Sequence, residues 1–365
     1  MPLVRVVHTT EYHYARPVRF TAHRLMTRPR DSHDLRLLGA TLTLTPPAQG
    51  MHWAHDVFGN SVCILEWDPA MRADLLRIVS TLHLQHYPVG AEEPLATLDP
   101  AAETFPFSYA SEEFPDLARL LERHYRDPDR QVDAWARSFL RRGEPTPTMD
   151  LLTRMTQAIK ADFTYATREA EGTNSPLVTL ATGTGACRDF ALLMIEACRS
   201  LGLAARFVSG YLYDAALMDS SDPVVGGGAT HAWCAVYLPG AGWVEFDPTN
   251  GLVAGRNLIR VCTARTPEQA VPVAGGFVGM PGDAAGMYVN VEVAVGDNAD
   301  MSACDMKLRA CGAPAGRATW TGAPVTTGAP VTEASEPGIS GMERPVTAMP
   351  EAELPARVAP ETAMG

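Results

Sequence analysis

Alternation of apolar and polar side chains with a period of two runs through the first hundred positions. Val4-Arg5-Val6-Val7-His8-Thr9-Thr10, Thr41-Leu42-Thr43-Leu44-Thr45, Ser61-Val62-Cys63-Ile64-Leu65 and Leu76-Arg77-Ile78-Val79-Ser80-Thr81-Leu82-His83-Leu84 keep it in part and are rich in β-branched residues, which predicts strands. Pro46-Pro47 and Phe58-Gly59-Asn60 punctuate them as turns. Short strands at this spacing predict a small sandwich or barrel over residues 1–100.

From about residue 112 the period lengthens. Asp127-Pro128 predicts a helix start, because Asp caps free N–H groups and Pro at the first position lacks one. Val132, Trp135, Ala136, Phe139 and Leu140 then recur at helical spacing, and Gly143 ends the run. Thr146-Pro147 opens a second helix carrying Leu151, Leu152, Met155, Ala158 and Ile159. Residues 101–149 thus read as a helical connector, leading into a core over 150–295 that includes the C-terminal strands. No Gly/Ser/Pro-rich spacer isolates the connector, so the β-rich segment is expected to pack on the core. Beyond 295 the pattern collapses, and Thr321-Gly322-Ala323-Pro324-Val325-Thr326 is repeated verbatim over 327–332. Residues 296–365, rich in Pro, Ala and Thr, are expected to form a disordered tail, since they carry too few large apolar side chains to offset ordering entropy.

Within the core, one helical pattern begins with a thiol. Cys187 is followed by Phe190, Ala191, Leu193, Met194, Ala197, Cys198 and Leu201, with Gly185 before it and Gly202 after. A thiol at a helix N-terminus sits beside unpaired N–H groups at the positive end of the helix dipole, which favours thiolate, the nucleophilic form. Its backbone N–H is also placed to donate to an oxyanion. His231 then opens an alternating strand with Trp233, Ala235 and Tyr237 on its face, and after Pro239-Gly240-Ala241-Gly242 a second strand runs from Trp243 to Asp247. Sulfur, base and orienting carboxylate are the three groups a cysteine nucleophile requires. Parity makes this testable. A four-residue loop pairs Leu238 with Trp243 and puts His231 and Asp247 on opposite faces. A triad needs an odd loop or bulge, such as Leu238 opposite Gly242, which sets Trp233 opposite Asp247.

Gly185-Ala186-Cys187-Arg188-Asp189-Phe190-Ala191, Val208-Ser209-Gly210-Tyr211-Leu212, His231-Ala232-Trp233 and Gly242-Trp243-Val244-Glu245-Phe246-Asp247-Pro248-Thr249-Asn250-Gly251 together resemble the bacterial transglutaminase-like proteins. Arg24-Leu25, Arg28-Pro29-Arg30 and Asp56-Val57-Phe58-Gly59-Asn60 resemble the β-rich N-terminal domain found beside that core in bacterial members. The resemblance spans roughly residues 3–260. It implies an α+β fold: a papain-like, transglutaminase-like core, with the Cys-bearing helix packed on an antiparallel sheet, and a β-rich N-terminal domain. It implies Cys187 as nucleophile, His231 as base and Asp247 as orienting acid, with Tyr165 and Trp233 as candidate oxyanion or cleft residues. After Asn250 the sequence departs from the family run and carries Val261-Cys262-Thr263-Ala264-Arg265-Thr266. The expected activity is cysteine-dependent acyl transfer on peptide or side-chain amides through a thioester. Hydrolysis is favoured over transamidation because no dedicated amine-binding feature is visible. An inactive binding module of the same fold is the rival from another class, although all three residues are present.

Composition narrows the partners. A net charge of −12 without clustered Lys/Arg argues against nucleic acid, leaving a peptide or protein as the expected substrate. No apolar run is long enough for a membrane helix, and the first residues lack a basic segment followed by an apolar stretch, so no membrane partner and a cytoplasmic location are expected. Seven dispersed cysteines without a C-x-x-C pair predict reduced thiols rather than a disulfide frame or zinc site. No metal or organic cofactor is implied. Gly183-Thr184-Gly185 lacks the Gly-Lys-Ser/Thr ending of a phosphate loop. His52-x-x-His55 and His83-x-x-His86 lack further ligands, and Asp214, Asp219 and Asp222 lack calcium-loop spacing. Asp189 is expected to be a structural partner within the first helical turn.

Overall fold

The computed structural model describes residues 2–87, 97–167, 172–213, 228–253 and 257–296. All of these fall within one compact unit. Residues 297–365 of the expected tail, with Cys304 and Cys311, and the Asp214–Asp222 loop with the glycine run up to Gly227 lie outside the described residues.

The N-terminal region builds two sheets from β1 (Leu3–Phe20), β2 (His23–Leu25), β3 (Leu35–Thr45), β4 (Gly50–His55), β5 (Ser61–Glu66) and β6 (Ala73–His86). β1 pairs with β6, and β6 with β3; β2 pairs with β5, and β5 with β4. Tyr14, Val18, Phe20, Leu25, Cys63, Leu65, Leu76 and Ile78 fill the cluster between the sheets. The alternation in β6 is the cause: residues 76, 78, 80, 82, 84 and 86 are buried while their neighbours are more exposed. β4 was not legible in the sequence because Met51–His55 are exposed on both faces and carry no alternation.

A connector follows. The two-residue strand β7 (Thr104–Phe105) leads to helices α1 (Phe114–Leu121) and α2 (Gln131–Arg137), and β8 (Thr146–Pro147) pairs back onto β7. Asp127 does cap, but from farther out than Asp127-Pro128 predicts. Its carboxylate accepts the backbone N–H groups of Gln131, Val132 and Asp133, because Arg130 takes a left-handed conformation and delays the helix. Helix α3 (Thr148–Asp162) starts directly after Thr146-Pro147.

Next come β9 (Thr164–Tyr165), α4 (Pro176–Thr182), β10 (Thr184–Gly185) and α5 (Cys187–Ser200). The core sheet comprises β11 (Ala205–Leu212), β12 (His231–Leu238), β13 (Gly242–Asp247), β14 (Leu252–Val253) and β15 (Leu258–Ala264), in the order β14-β13-β12-β11-β15. Its neighbours are antiparallel. α5 packs on one face, where Ala191, Met194, Ile195 and Cys198 share a cluster with Ala232, Cys234, Val236 and Phe246. The segment that departs from the family run is thus the edge strand β15.

One boundary is corrected. Residues 150–295 do not all belong to the core: β16 (Val273–Ala274), β17 (Phe277–Val278) and β18 (Ala284–Gly296) return to the N-terminal sheets. β18 pairs along β1 from Leu3 to Tyr14, covering the edge that β1 would otherwise expose.

The β-rich region and the core share buried contacts. Val4, Val6, Leu82 and Leu84 pack with Tyr211, Tyr213, Ile259 and Val261. His8 Nδ1 and the Tyr211 hydroxyl are 3.0 Å apart, and His86 Nδ1 and the Tyr213 hydroxyl 2.6 Å. Asn60 behaves as an extra peptide unit on the edge of β15, accepting the Thr263 N–H at 2.9 Å and donating to its carbonyl at 2.7 Å. Asp56 holds Asn60 in place, so the Asp-Val-Phe-Gly-Asn turn is a clasp between the two regions.

Candidate active site

Cys187 is fixed by the way α5 begins. Ala186 has no capping side chain, so Asp189 substitutes: one carboxylate oxygen accepts the Ala186 N–H at 2.9 Å and the other the Asn174 N–H at 2.7 Å. Asp189 is fully buried, in the structural role expected of it. Gly185 is required by close approach, since a Cβ there would lie 2.9 Å from the Asp189 Cβ and 3.1 Å from the Phe190 ring. Cys187 is half-buried, and its backbone N–H has no acceptor among the described residues. Parallel pairing of β9 with β10 sets Tyr165 beside Gly185.

Chain lengths bring the histidine level with the thiol. The 14 residues of α5 span about 21 Å at 1.5 Å each. After Gly202 the chain reverses, and Ala205 to Gly210 covers about 17 Å at roughly 3.3 Å per residue. Gly210 pairs with His231, so the first residue of β12 stands where α5 begins.

The hairpin resolves the parity question. Leu238 pairs with Gly242, Tyr237 with Trp243 and Cys234 with Phe246, leaving Pro239-Gly240-Ala241 as a three-residue loop. Gly240 and Gly242 have φ of 86° and 71°, which favour glycine at both positions. Trp233 therefore lies opposite Asp247, with His231 diagonal to it. His231 Nε2 donates to Asp247 Oδ2 at 2.8 Å, and neither side chain is exposed.

Asp247 is held from its other side. The Thr249 N–H donates to Oδ1 at 3.0 Å, and the Asn250 amide to Oδ2 at 2.8 Å. Sequence reasoning quoted Asn250 but gave it no role, although Asp-Pro-Thr-Asn carries the signal of an Asx turn. Burial alone would raise the Asp247 carboxyl; His231, Asn250 and the Thr249 N–H outweigh it and hold the group below its ordinary value. Burial is likewise the largest influence on His231 and opposes its charge, but the Asp247 carboxylate and Cys187 together push the imidazole up to about 10. His231 Nδ1 is enclosed and short of full hydrogen-bond geometry with any group; Cys187 is the partner that acts on the ring besides Asp247. The ring stacks on fully buried Trp233, with centroids 5.9 Å apart and planes at 30°. The described structure thus brings Cys187, His231 and Asp247 together. Residues 133–248 match the transglutaminase-like superfamily, and residues 4–85 the bacterial transglutaminase-like N-terminal region.

The chain belongs to the transglutaminase-like superfamily.

An uncharacterized protein of Mycobacterium tuberculosis is 30% identical to this transglutaminase-like chain over 288 residues, covering 74% of the chain and 86% of that protein. YebA, an uncharacterized protein of Bacillus subtilis, is 38% identical over 74 residues, 19% of this chain and 10% of that one. A solved structure from Cytophaga hutchinsonii, described as a candidate cysteine protease, superposes with a TM-score of 0.59 at 20% identity, covering 82% of this chain and 92% of that one. That likeness shows a shared transglutaminase-like fold.

Tyr165 is half-buried near the thiol, its phenol pushed up to about 12 chiefly by burial and then by Cys187, so it stays a neutral O–H donor at neutral pH. Trp233 is a packing wall behind the histidine. Thr184 and Gly185 of the glycine-threonine run form β10 against β9. His52 and His55 lie exposed on β4, and His86 is engaged with Tyr213. Among the described residues, no group of three His, Cys, Asp or Glu side chains is arranged to hold a metal ion. Among them too, no helix is long and apolar enough to cross a membrane.

Proposed function

We propose that this transglutaminase-like protein catalyses acyl transfer on peptide or side-chain amides through a thioester on Cys187, with hydrolysis as the outcome. The observation that carries the reading is the fully buried 2.8 Å bond between His231 Nε2 and Asp247, which leaves Nδ1 for the Cys187 thiol. Asp247 fixes the ring and stabilises the imidazolium, so that the thiol proton can reside on Nδ1 and the sulfur carry the negative charge. The thiolate attacks the amide carbonyl, and the Cys187 N–H and the Tyr165 hydroxyl supply donors for the developing oxyanion. The imidazolium then gives its Nδ1 proton to the departing nitrogen as the C–N bond breaks, leaving a thioester. Water loses a proton to the neutral ring, adds to the thioester and releases a carboxylic acid, while the thiol is restored. Peptides or protein side chains are the proposed substrates.

Iodoacetamide labelling followed by peptide mapping tests the nucleophile. Burial pushes Cys63 up to about 11 and Cys262 to about 12, and raises Cys234 as well, so these thiols stay unreactive at pH 7. Cys187 is expected to label far faster than they do, and His231→Ala to remove its advantage. Turnover of an acetylated peptide amide panel, with and without an added alkylamine, separates hydrolysis from transamidation. Labelling spread evenly over these cysteines, or turnover unchanged in Cys187→Ala, would refute the reading.

A further inference from the structure

By strand register, one face of the core sheet carries His231, Trp233, Ala235 and Tyr237 on β12, and Trp243, Glu245 and Asp247 on β13. Arg206 on β11 pairs with Ala235 and so joins the same face. Its guanidinium lies over the Trp243 ring, 4.0 Å from the centroid. A structural arginine in this row would take Glu245 as its partner, but Arg260 has already done so. Arg260 donates to Glu245 at 2.8 Å and to both oxygens of Asp34 at 3.2 Å. Two arginines therefore meet two carboxylates here, yet one arginine binds both. Arg206 has no hydrogen bond or ion pair among the described residues. Its Nε is enclosed and unpartnered, whereas its terminal nitrogens are not among the enclosed atoms. Burial and then Arg260 lower its pKa to about 10, partly offset by Glu245, so the group remains charged at neutral pH.

Resting on the acyl-transfer reading above, we propose that Arg206, held over Trp243, is a substrate subsite that binds a carboxylate of the peptide at a distance from the amide that reacts. The aromatic ring pre-orients the planar guanidinium, and its free edge offers the forked donors that a carboxylate accepts two at a time. An acidic residue in an extended peptide supplies that group. The remaining neighbours explain the selectivity: Tyr237 packs edge-on to Trp243, and Glu245, neutralised by Arg260, repels the incoming carboxylate little.

The test uses full-length protein carrying Cys187→Ala, so that binding is read without turnover. The probes are acetylated, amidated peptides with one Gln and one Glu separated by one to five alanines, in both orders, alongside controls with Gln in place of Glu. Calorimetry should show Glu peptides of at least one spacing and order binding at least about tenfold tighter than their controls. Adding Arg206→Gln should abolish that preference, and Arg206→Lys should retain part of it; thermal unfolding confirms that each variant is folded. Equal binding of Glu and control peptides, a preference that survives Arg206→Gln, or no binding of any probe at millimolar concentration overturns the subsite. A positive result with no turnover by the Cys187-containing protein would leave the subsite standing and remove the acyl-transfer reading alone.

Discussion

Acid should weaken the fold through one histidine at the seam between the β-rich region and the core sheet. His8 is 3% exposed, bonded to the Tyr211 hydroxyl through Nδ1 and to Thr10 through Nε2. Burial lowers its pKa from 6.5 to about 4. Above pH 6.5 both folded and unfolded chains hold the ring neutral, and it contributes nothing to the pH dependence. Between pH 6.5 and 4 the unfolded chain binds a proton that the folded chain refuses, so stability falls as pH falls. At 1.36 kcal/mol per unit, the shift amounts to about 3 kcal/mol, most of it lost by pH 4. Urea unfolding of the wild type and His8→Gln between pH 7.5 and 4 reads this directly, because Gln keeps a polar partner but does not titrate. The wild type should lose about 3 kcal/mol more than His8→Gln across that range. Parallel curves would refute the argument. Tyr211 directly follows Gly210, the strand partner of His231.

Two substitutions probe the supports of the site. Asp189→Ala leaves the buried Ala186 N–H and the part-buried Asn174 N–H without their acceptor, which should cost about 2 kcal/mol in urea unfolding and slow Cys187 alkylation by loosening the start of α5. Gly210→Ala would put a Cβ 2.0 Å from the Ile259 carbonyl oxygen and 2.8 Å from the Trp233 ring; it should destabilise by about 3 kcal/mol and perturb the near-ultraviolet signal of the displaced indole.

Much of the site was legible in the sequence because its geometry is local. The apolar run after Cys187 specifies a helix, and the thiol's place in that run specifies its N-terminus. Two glycines around Pro239–Gly242 permit an odd loop, and the triad's need for His231 and Asp247 on one face selected it, as the pairing of Leu238 with Gly242 shows. What the sequence could not carry is pairing across long separations. Nothing local tells β18 to return to β1, because its alternation fits any sheet edge; closure was decided by the edge that β1 leaves open. Nothing local distinguishes Arg206 from Arg260, either. Only the folded sheet, with Asp34 brought in from the β-rich region, gives one arginine both carboxylates and leaves the other on a tryptophan. Periodicity and turn chemistry act over a few residues and are written in the chain, whereas charge pairing and edge closure depend on which distant groups compete for the same partner, and that competition exists only once the chain has folded.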